Sequence, residues 1–289
     1  AIENRAVNLL HEKQFHFKDL NKNNILDVYE DWRKPLDMRV ANLVSQMTLE
    51  EKVGMLLINT LNAGEKGKMT DAAVDLIEKQ KMTRFVFRNT IKSNPVITGA
   101  GNGFAGAQIS PFEAAQFMNA VQEFSERTRL GIPALFKSNS RNHIEFDARA
   151  GINIESGSFS SWPKESGLAA TRDMALIADF AKIMAEEWRA IGLRGMYGYM
   201  ADLSTEPRWY RVHETFTEDS DLAADIIKVL IKNLQGEKLN SKSIALTIKH
   251  FPGGGPQEGG GDPHYTFGKN QVYPAGKFDY HLAPFKAAI

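Results

Sequence analysis

The stretch that decides the fold is Asp173 to Asp202, DMALIADFAKIMAEEWRAIGLRGMYGYMAD. Leu176, Ile177, Phe180, Ile183, Met184 and Trp188 recur at three- and four-residue spacing, which puts them on one face of a helix beginning at about Asp173. Gly192 stands where a C-cap glycine would end that helix. Gly195 to Met200 then reads as a strand, and Asp202 falls just past its C-terminal end. Helix, glycine stop, strand and polar residue together form the repeating unit of a parallel sheet with crossover helices.

Working outward, the unit recurs. Ser110-Pro111-Phe112-Glu113 is a helix start with a hydroxyl N-cap, proline at the first helical position and glutamate three after the cap, and its helix runs toward Arg127. Thr48-Leu49-Glu50-Glu51 has the same capping-box spacing. Another helix runs from Ser220 through Leu222, Ile226, Ile227, Leu230 and Leu234 to Gly236. The remaining strands are expected at Arg84 to Phe87, Ile132 to Phe136 and Ser243 to Ile248. Asn139 and the pair Lys249-His250 follow two of them, as Asp202 follows another, and α/β barrels and open sheets place their chemistry at that edge. Two glycine-rich stretches, at 98–106 and 252–261, read as mobile surface loops.

Bulk properties narrow the function. The 289 residues suffice for one large domain or two ordinary ones, with 43% hydrophobic and 24% charged residues. Thirty-five basic residues balance 35 acidic ones, which leaves no electrostatic footprint for nucleic acid or an anionic membrane and favours a neutral substrate. With no cysteine there is no disulfide, thiolate nucleophile or Cys-ligated zinc. No apolar run approaches the roughly 18 residues that span a bilayer. The expected location is periplasmic or secreted rather than cytoplasmic.

Three constellations could carry chemistry. Asp19-Leu-Asn-Lys-Asn-Asn-Ile-Leu-Asp-Val-Tyr-Glu30 has the spacing of an EF-hand loop, with Asp19, Asn21, Asn23, the Ile25 carbonyl, Asp27 and Glu30 as ligands of a structural calcium ion. Asn24 replaces the usual glycine and tolerates its left-handed conformation; the alternative is a solvated loop that binds nothing. The segment 201–219, dense in arginine, carboxylate and aromatic residues, could grip sugar hydroxyls or brace itself with ion pairs. Lys249-His250 offers point donors at a strand end, with no serine or cysteine nearby to activate. A transition-metal site built from His143, His213, His250 and His264 lacks any i, i+4 histidine pair, and Gly101-Asn-Gly103-Phe-Ala-Gly106 lacks the strand and acidic partner of a dinucleotide loop.

In order, these stretches resemble glycoside hydrolase family 3 from about Arg39 to Ile289. Met47-Thr-Leu-Glu-Glu-Lys-Val-Gly54 is similar to its opening helix, Leu130-Gly-Ile-Pro-Ala-Leu-Phe136 to a strand, and Trp162-Pro163 with Gly167-Leu-Ala-Ala-Thr171 to the next block. Pro207-Arg-Trp-Tyr-Arg211, Glu214-Thr-Phe-Thr-Glu-Asp219, Lys249-His250-Phe251 and Leu282-Ala-Pro-Phe-Lys-Ala-Ala-Ile289 follow in the family's order. The EF-hand-like loop marks an N-terminal segment at 1–35, and at 36–289 the resemblance implies a (β/α)8 TIM-like barrel that is incomplete in this chain and normally followed by an α/β sandwich domain. It implies that Arg211, Lys249 and His250 bond the terminal sugar, with Asn139 in place of an aspartate common in the family and Arg141 and His143 sharing its role. Tyr210 stands for a common glycine and is expected to narrow the pocket.

The activity so implied is exo-acting, retaining β-glycoside hydrolysis, with β-glucosidase ahead of β-xylosidase or exo-β-glucanase. A carbohydrate-binding scaffold without catalysis is the alternative from another class. No cofactor is implied for catalysis. The nucleophile and acid/base of the family are expected after Ile289, in a remaining segment of the enzyme, so neither Asp202 nor Glu214 is assigned as nucleophile.

Overall fold

The computed structural model describes residues 5–96, 106–144 and 156–289; the glycine-rich stretch at 98–106 and its dinucleotide-like spacing lie almost wholly outside them. Two compact units divide the chain, the first comprising 1–89 and 94–136, the second 90–93 and 137–289.

In the first unit a hairpin, β1 (Leu9–Glu12) with β2 (Phe15–Lys18), precedes α1 (Leu36–Gln46) and α2 (Leu49–Leu56). The Thr48 and Ser110 capping boxes both form, each hydroxyl accepting from the backbone N–H three residues on while that glutamate returns to the cap. Strand β3 (Asn59–Thr60) pairs in parallel with β4 (Arg84–Val86), and the short helix α3 (Asp71–Val74) lies between them in the chain. Helix α4 (Pro111–Arg127) buries Phe117 among Phe87 and Phe136, with ring centroids 6.0 and 5.8 Å away. Its buried Glu126 accepts from the Arg5 and Ala6 backbone N–H groups, each at 3.0 Å, and pairs with Lys18, tying the N-terminal segment to the same core. Helix α1 has no buried residue: Leu36, Val40 and Val44 are exposed among the described residues.

The second unit continues the chain with parallel pairing of β5 (Leu135–Ser138) to β6 (Gly195–Met196) and of β6 to β7 (Ala245–Leu246). In each unit strand neighbours follow chain order without reversal. That is the winding expected for part of a (β/α)8 barrel, whereas a doubly wound sheet reverses its order. The helices are α5 (Glu165–Thr171), α6 (Met174–Ala190), α7 (Ser220–Leu234) and α8 (Phe278–Ala288), and α7 packs on both α6 and α8.

Helix α6 starts as expected, with Asp173 accepting from the Ala175 and Leu176 N–H groups. It ends in a Schellman motif: Gly192 at φ +93°, its N–H bonded to Arg189 O, and Leu193 N–H bonded to Trp188 O. Ile177, Phe180, Met184 and Trp188 are buried, but Ile183, expected on that face, is 39% exposed. The strands depart more. Pro133 has no N–H to donate, so pairing begins at Leu135 N to Thr83 O, three residues later than expected at Ile132. Regular pairing of β6 stops at Met196, with Gly198 inside the expected strand, and resumes as a single bridge between Met200 and Lys249.

Candidate functional site

The C-terminal edge of the second unit gathers the polar residues. Lys249 and His250 follow β7, and the Met200–Lys249 bridge carries Asp202 beside them, with Ala201 N bonded to Lys249 O at 2.7 Å. The Asp202 side chain is fully enclosed and works as a clamp. Its oxygens accept from His250 N at 3.1 and 3.2 Å, from the His250 ring Nδ1 at 2.7 Å and from Gly254 N. A carboxylate only accepts, so His250 Nδ1 bears hydrogen. The other ring nitrogen, Nε2, lies 3.3 Å from Arg211 Nη1, and a guanidinium only donates, so Nε2 presents its lone pair.

Arg211 and Glu214 lie on one 3-10 turn, Tyr210–Glu214. The i, i+3 spacing lets Arg211 Nη2 donate to Glu214 Oε2 at 2.6 Å, with Met200 Sδ at 3.2 Å. Burial alone would lower Arg211, but the bond to Glu214 and the charge of Asp262 hold it above its usual value, so it remains a cation. Arg211 Nε and Glu214 Oε1 are buried without a hydrogen-bond partner among the described residues, a condition that costs about 1–3 kcal/mol per group and calls for an explanation. Lys249 is 8% exposed, and its ammonium sits 4.1 Å from the Tyr197 ring centroid.

Of the residues expected to bind sugar, Arg211 and His250 are therefore in contact, and Lys249 is the residue before His250 in the chain. Asn139 lies one residue past β5, at the corresponding strand end, and is buried. Arg141 and His143 are enclosed. Arg141 Nε donates to Ser138 Oγ at 2.7 Å. His143 Nδ1 donates to Pro163 O at 2.6 Å, and its Nε2 lies 3.1 Å from Tyr199 Oη and 3.4 Å from Glu165. Both rigidify the polypeptide after β5.

The loop at 201–219 contains both kinds of residue foreseen for it. Arg208 and Glu206 brace its exposed side through a two-pronged bond at 2.8 and 2.7 Å, which holds the Glu206 carboxyl down at about 2, while Arg211 is buried at the site. Sequence reasoning assigned no part to Asp202 or Glu214 as positioning residues; only the Arg-x-x-Glu spacing hinted at the second. The second glycine stretch is a surface loop only in part: residues 253–257 are buried, while Glu258 and Gly259 are exposed. Gly255 is required there, because a Cβ would lie 1.9 Å from Leu203 O.

The six expected ligands lie in the irregular segment between β2 and α1. Asp19 accepts from Asn23 N and Asn24 N, both at 3.1 Å, and Glu30 from Leu20 N at 2.6 Å and Asp27 N at 3.0 Å. The Asn21 and Asn23 amide nitrogens each lie 2.7 Å from the same Asp27 oxygen, and Ile25 is exposed. Asn24 adopts the left-handed conformation, φ +60°, that the motif's glycine position demands. Burial raises the Glu30 carboxyl against the hydrogen bonds that would lower it. The described residues contain no cluster of three acidic or histidine side chains placed to hold a metal, so a cation here would depend on the amides and the Ile25 carbonyl as well. No described helix is long and apolar enough to cross a membrane.

Comparison with known proteins finds relatives for most of the chain. The glycosyl hydrolase family 3 N-terminal domain matches residues 47–289. Beta-glucosidase C of Emericella nidulans is 38% identical over 274 residues, 94% of this chain and 41% of that protein. A periplasmic beta-glucosidase/beta-xylosidase of Dickeya chrysanthemi is 34% identical over 291 residues, 100% of this chain and 42% of its own. The chain thus spans about two-fifths of the length of these relatives. Among solved structures, a Paenibacillus family 3 beta-N-acetylglucosaminidase superposes with a TM-score of 0.64 at 21% identity, covering 84% of this chain and 40% of that one. A beta-glucosidase from Listeria innocua in complex with isofagomine gives 0.61 at 24%, covering 88% and 30%. At such identities they show the fold.

Proposed function

From the premise that this chain belongs to glycosyl hydrolase family 3, we propose that it supplies the terminal-sugar site of an exo-acting β-glucosidase that hydrolyses with retention. The observation that carries the reading is the four-residue relay Glu214–Arg211–His250–Asp202 at the strand ends, where two buried carboxylates hold a cation and an imidazole in fixed orientation. Side chains so held bind equatorial hydroxyls at little entropic cost, because their orientation is set before the sugar arrives. A hydroxyl that displaces Arg211 Nη1 from His250 Nε2 would donate to that nitrogen, and Arg211 and Lys249 would donate to hydroxyl oxygens.

Retention requires two carboxyl groups roughly 5 Å apart. Asp202 and Glu214 already accept from His250 and Arg211, so the reading assigns nucleophile and acid/base to the part of the enzyme beyond these residues. The relatives from Dickeya chrysanthemi and Salmonella typhimurium are named periplasmic, which supports export of this protein as well.

The test is hydrolysis of aryl β-glucoside and β-xyloside by the complete protein, with Lys249→Ala alongside. Loss of one sugar-hydroxyl bond to a charged donor is expected to lower kcat/KM about 100-fold on the glucoside. Faster turnover of the xyloside would make the enzyme a β-xylosidase, and sugar binding without turnover of either would favour a scaffold.

We further propose that the loop from Asp19 to Glu30 binds calcium structurally. The support is its ligand spacing and the near-complete burial of Asp19 and Glu30. Calcium at about 100 times its dissociation constant is expected to raise the unfolding midpoint by roughly 5 °C, by mass action on the folded state. Calorimetry with calcium, with chelator and on Glu30→Gln checks this; an identical midpoint in all three would mean the loop is only solvated.

A further inference from the structure

Five of the seven histidines are engaged or enclosed by the fold: His143, His213, His250 and His264 each set Nδ1 against an oxygen, and His281 is buried. His11 and His16 differ. Both are exposed, and among the described residues no hydrogen bond or ion pair occupies either ring. They are also directly opposed. His11 on β1 pairs with His16 on β2, so the two side chains leave the same face of the hairpin with Cβ atoms about 4.5–5.5 Å apart. Their ring centroids are 4.5 Å apart with 66° between planes. Two imidazoles that share one metal ion at about 2.1 Å per nitrogen, at a right to tetrahedral angle, have ring centres roughly 4.5–5 Å apart. The rings therefore stand at the separation a shared ion needs, and turning the side chains is enough to aim a nitrogen of each at one point.

A two-stranded hairpin is marginal by itself, but this one is held from its other face. Phe15 and Phe17 alternate with His16 and so point away from the pair. Trp32 stacks on Phe17 at 5.7 Å and meets Phe15 edge-on at 5.5 Å, while its indole donates to His16 O at 3.1 Å. The Arg33 guanidinium lies over both Phe15 and Phe17 and pairs with Glu12. At the base of the hairpin Lys18, on the histidine face, is neutralised by the buried Glu126. The imidazoles are thus carried on a fixed frame, which keeps the entropic cost of gathering them around a ligand small. The donors so presented are two nitrogens. Nitrogen suits zinc, copper and nickel, whereas calcium and magnesium take oxygens, as the loop starting at Asp19 offers.

We propose that His11 and His16 form a two-imidazole chelate for a divalent transition cation, copper(II) or zinc(II), on the exposed face of the N-terminal hairpin, with water completing the coordination. The ion bridges β1 to β2 and acts as a clip on the segment that leads into the loop from Asp19 to Glu30. This site is independent of the sugar pocket and of the calcium reading, because its ligands are shared with neither.

The experiment titrates the complete protein, free of any polyhistidine tag, with copper(II) chloride and reads the bound ion by electron paramagnetic resonance. A single equivalent of copper carrying hyperfine structure from two imidazole nitrogens is expected, and about a hundredfold excess of calcium chloride should leave it in place. Residues that merely orient a metal ligand are worth about 10- to 100-fold in affinity, so His11→Ala and His16→Ala, which remove a ligand outright, should each weaken binding at least about 100-fold. The spectrum is recorded on the unaltered protein, so it does not depend on the folding of the variants. A spectrum with one nitrogen would mean that the rings only stack on each other and would overturn the chelate. Displacement by calcium would overturn it too, by placing the ion among the oxygens of the loop from Asp19 to Glu30. Undiminished binding in the double variant would do the same, since the ion would then sit elsewhere.

Discussion

Asp202→Ala is expected to lower kcat/KM of the complete enzyme on an aryl β-glucoside by about a thousandfold, more than the loss of any one hydroxyl contact. The reason is the number of groups that one carboxylate holds. Removing it leaves His250 N, His250 Nδ1 and Gly254 N without their acceptor in a closed space, at about 1–3 kcal/mol for each donor left unmet. The imidazole then loses the bond that sets its tautomer, and Nε2 no longer faces Arg211 as an acceptor. Asp202→Asn separates charge from shape. Its amide oxygen can accept from some of the donors, but its NH2 opposes the rest, so its activity should fall between alanine and wild type. Steady-state kinetics with a urea unfolding curve on each variant reads both effects. An alanine variant within tenfold of wild type would show that His250 is positioned by something else.

Gly255→Ala is expected to cost more than about 4 kcal/mol of stability, or to prevent accumulation of folded protein, although it adds a single methyl group. The added Cβ would stand 1.9 Å from Leu203 O, 2.9 Å from its carbon and 3.0 Å from its nitrogen. These are backbone atoms of a fully buried residue adjoining Asp202, so no rotamer change relieves the overlap. Gly259, four residues on in the same glycine-rich stretch, is the control. Its φ of +60° disfavours alanine, but no atom lies within 4 Å of the new carbon, and the expected cost is about 1–2 kcal/mol. Equal stability of the two variants by urea denaturation would mean that residues 253–257 are as yielding as their composition suggests.

That contrast marks where the amino-acid sequence ceased to be informative. Glycine content signals freedom from side chains, which serves a mobile loop and a tight backbone crossing alike. Only the position of Leu203 distinguishes them. The strand limits were obscured likewise: pairing is a relation between segments, and nothing in Ile132 to Phe136 alone says that its first bond waits for Leu135.

The sequence by itself determined whatever depends on neighbours within a few residues. The capping boxes at Thr48 and Ser110, the Asp173 cap, the glycine stop at Gly192 and the buried face from Ile177 to Trp188 involve bonds or periodicity spanning one or two turns, and each forms. The order of motifs also singled out Arg211, Lys249 and His250, of which Arg211 and His250 meet in the structure. The tertiary structure alone decided that Ile183 faces outward, that Asp202 grips a histidine 48 residues away, and that Asp262 accepts from the indole of Trp209, 53 residues distant. Such contacts are set by the packing of several elements at once, and local propensity carries no record of them.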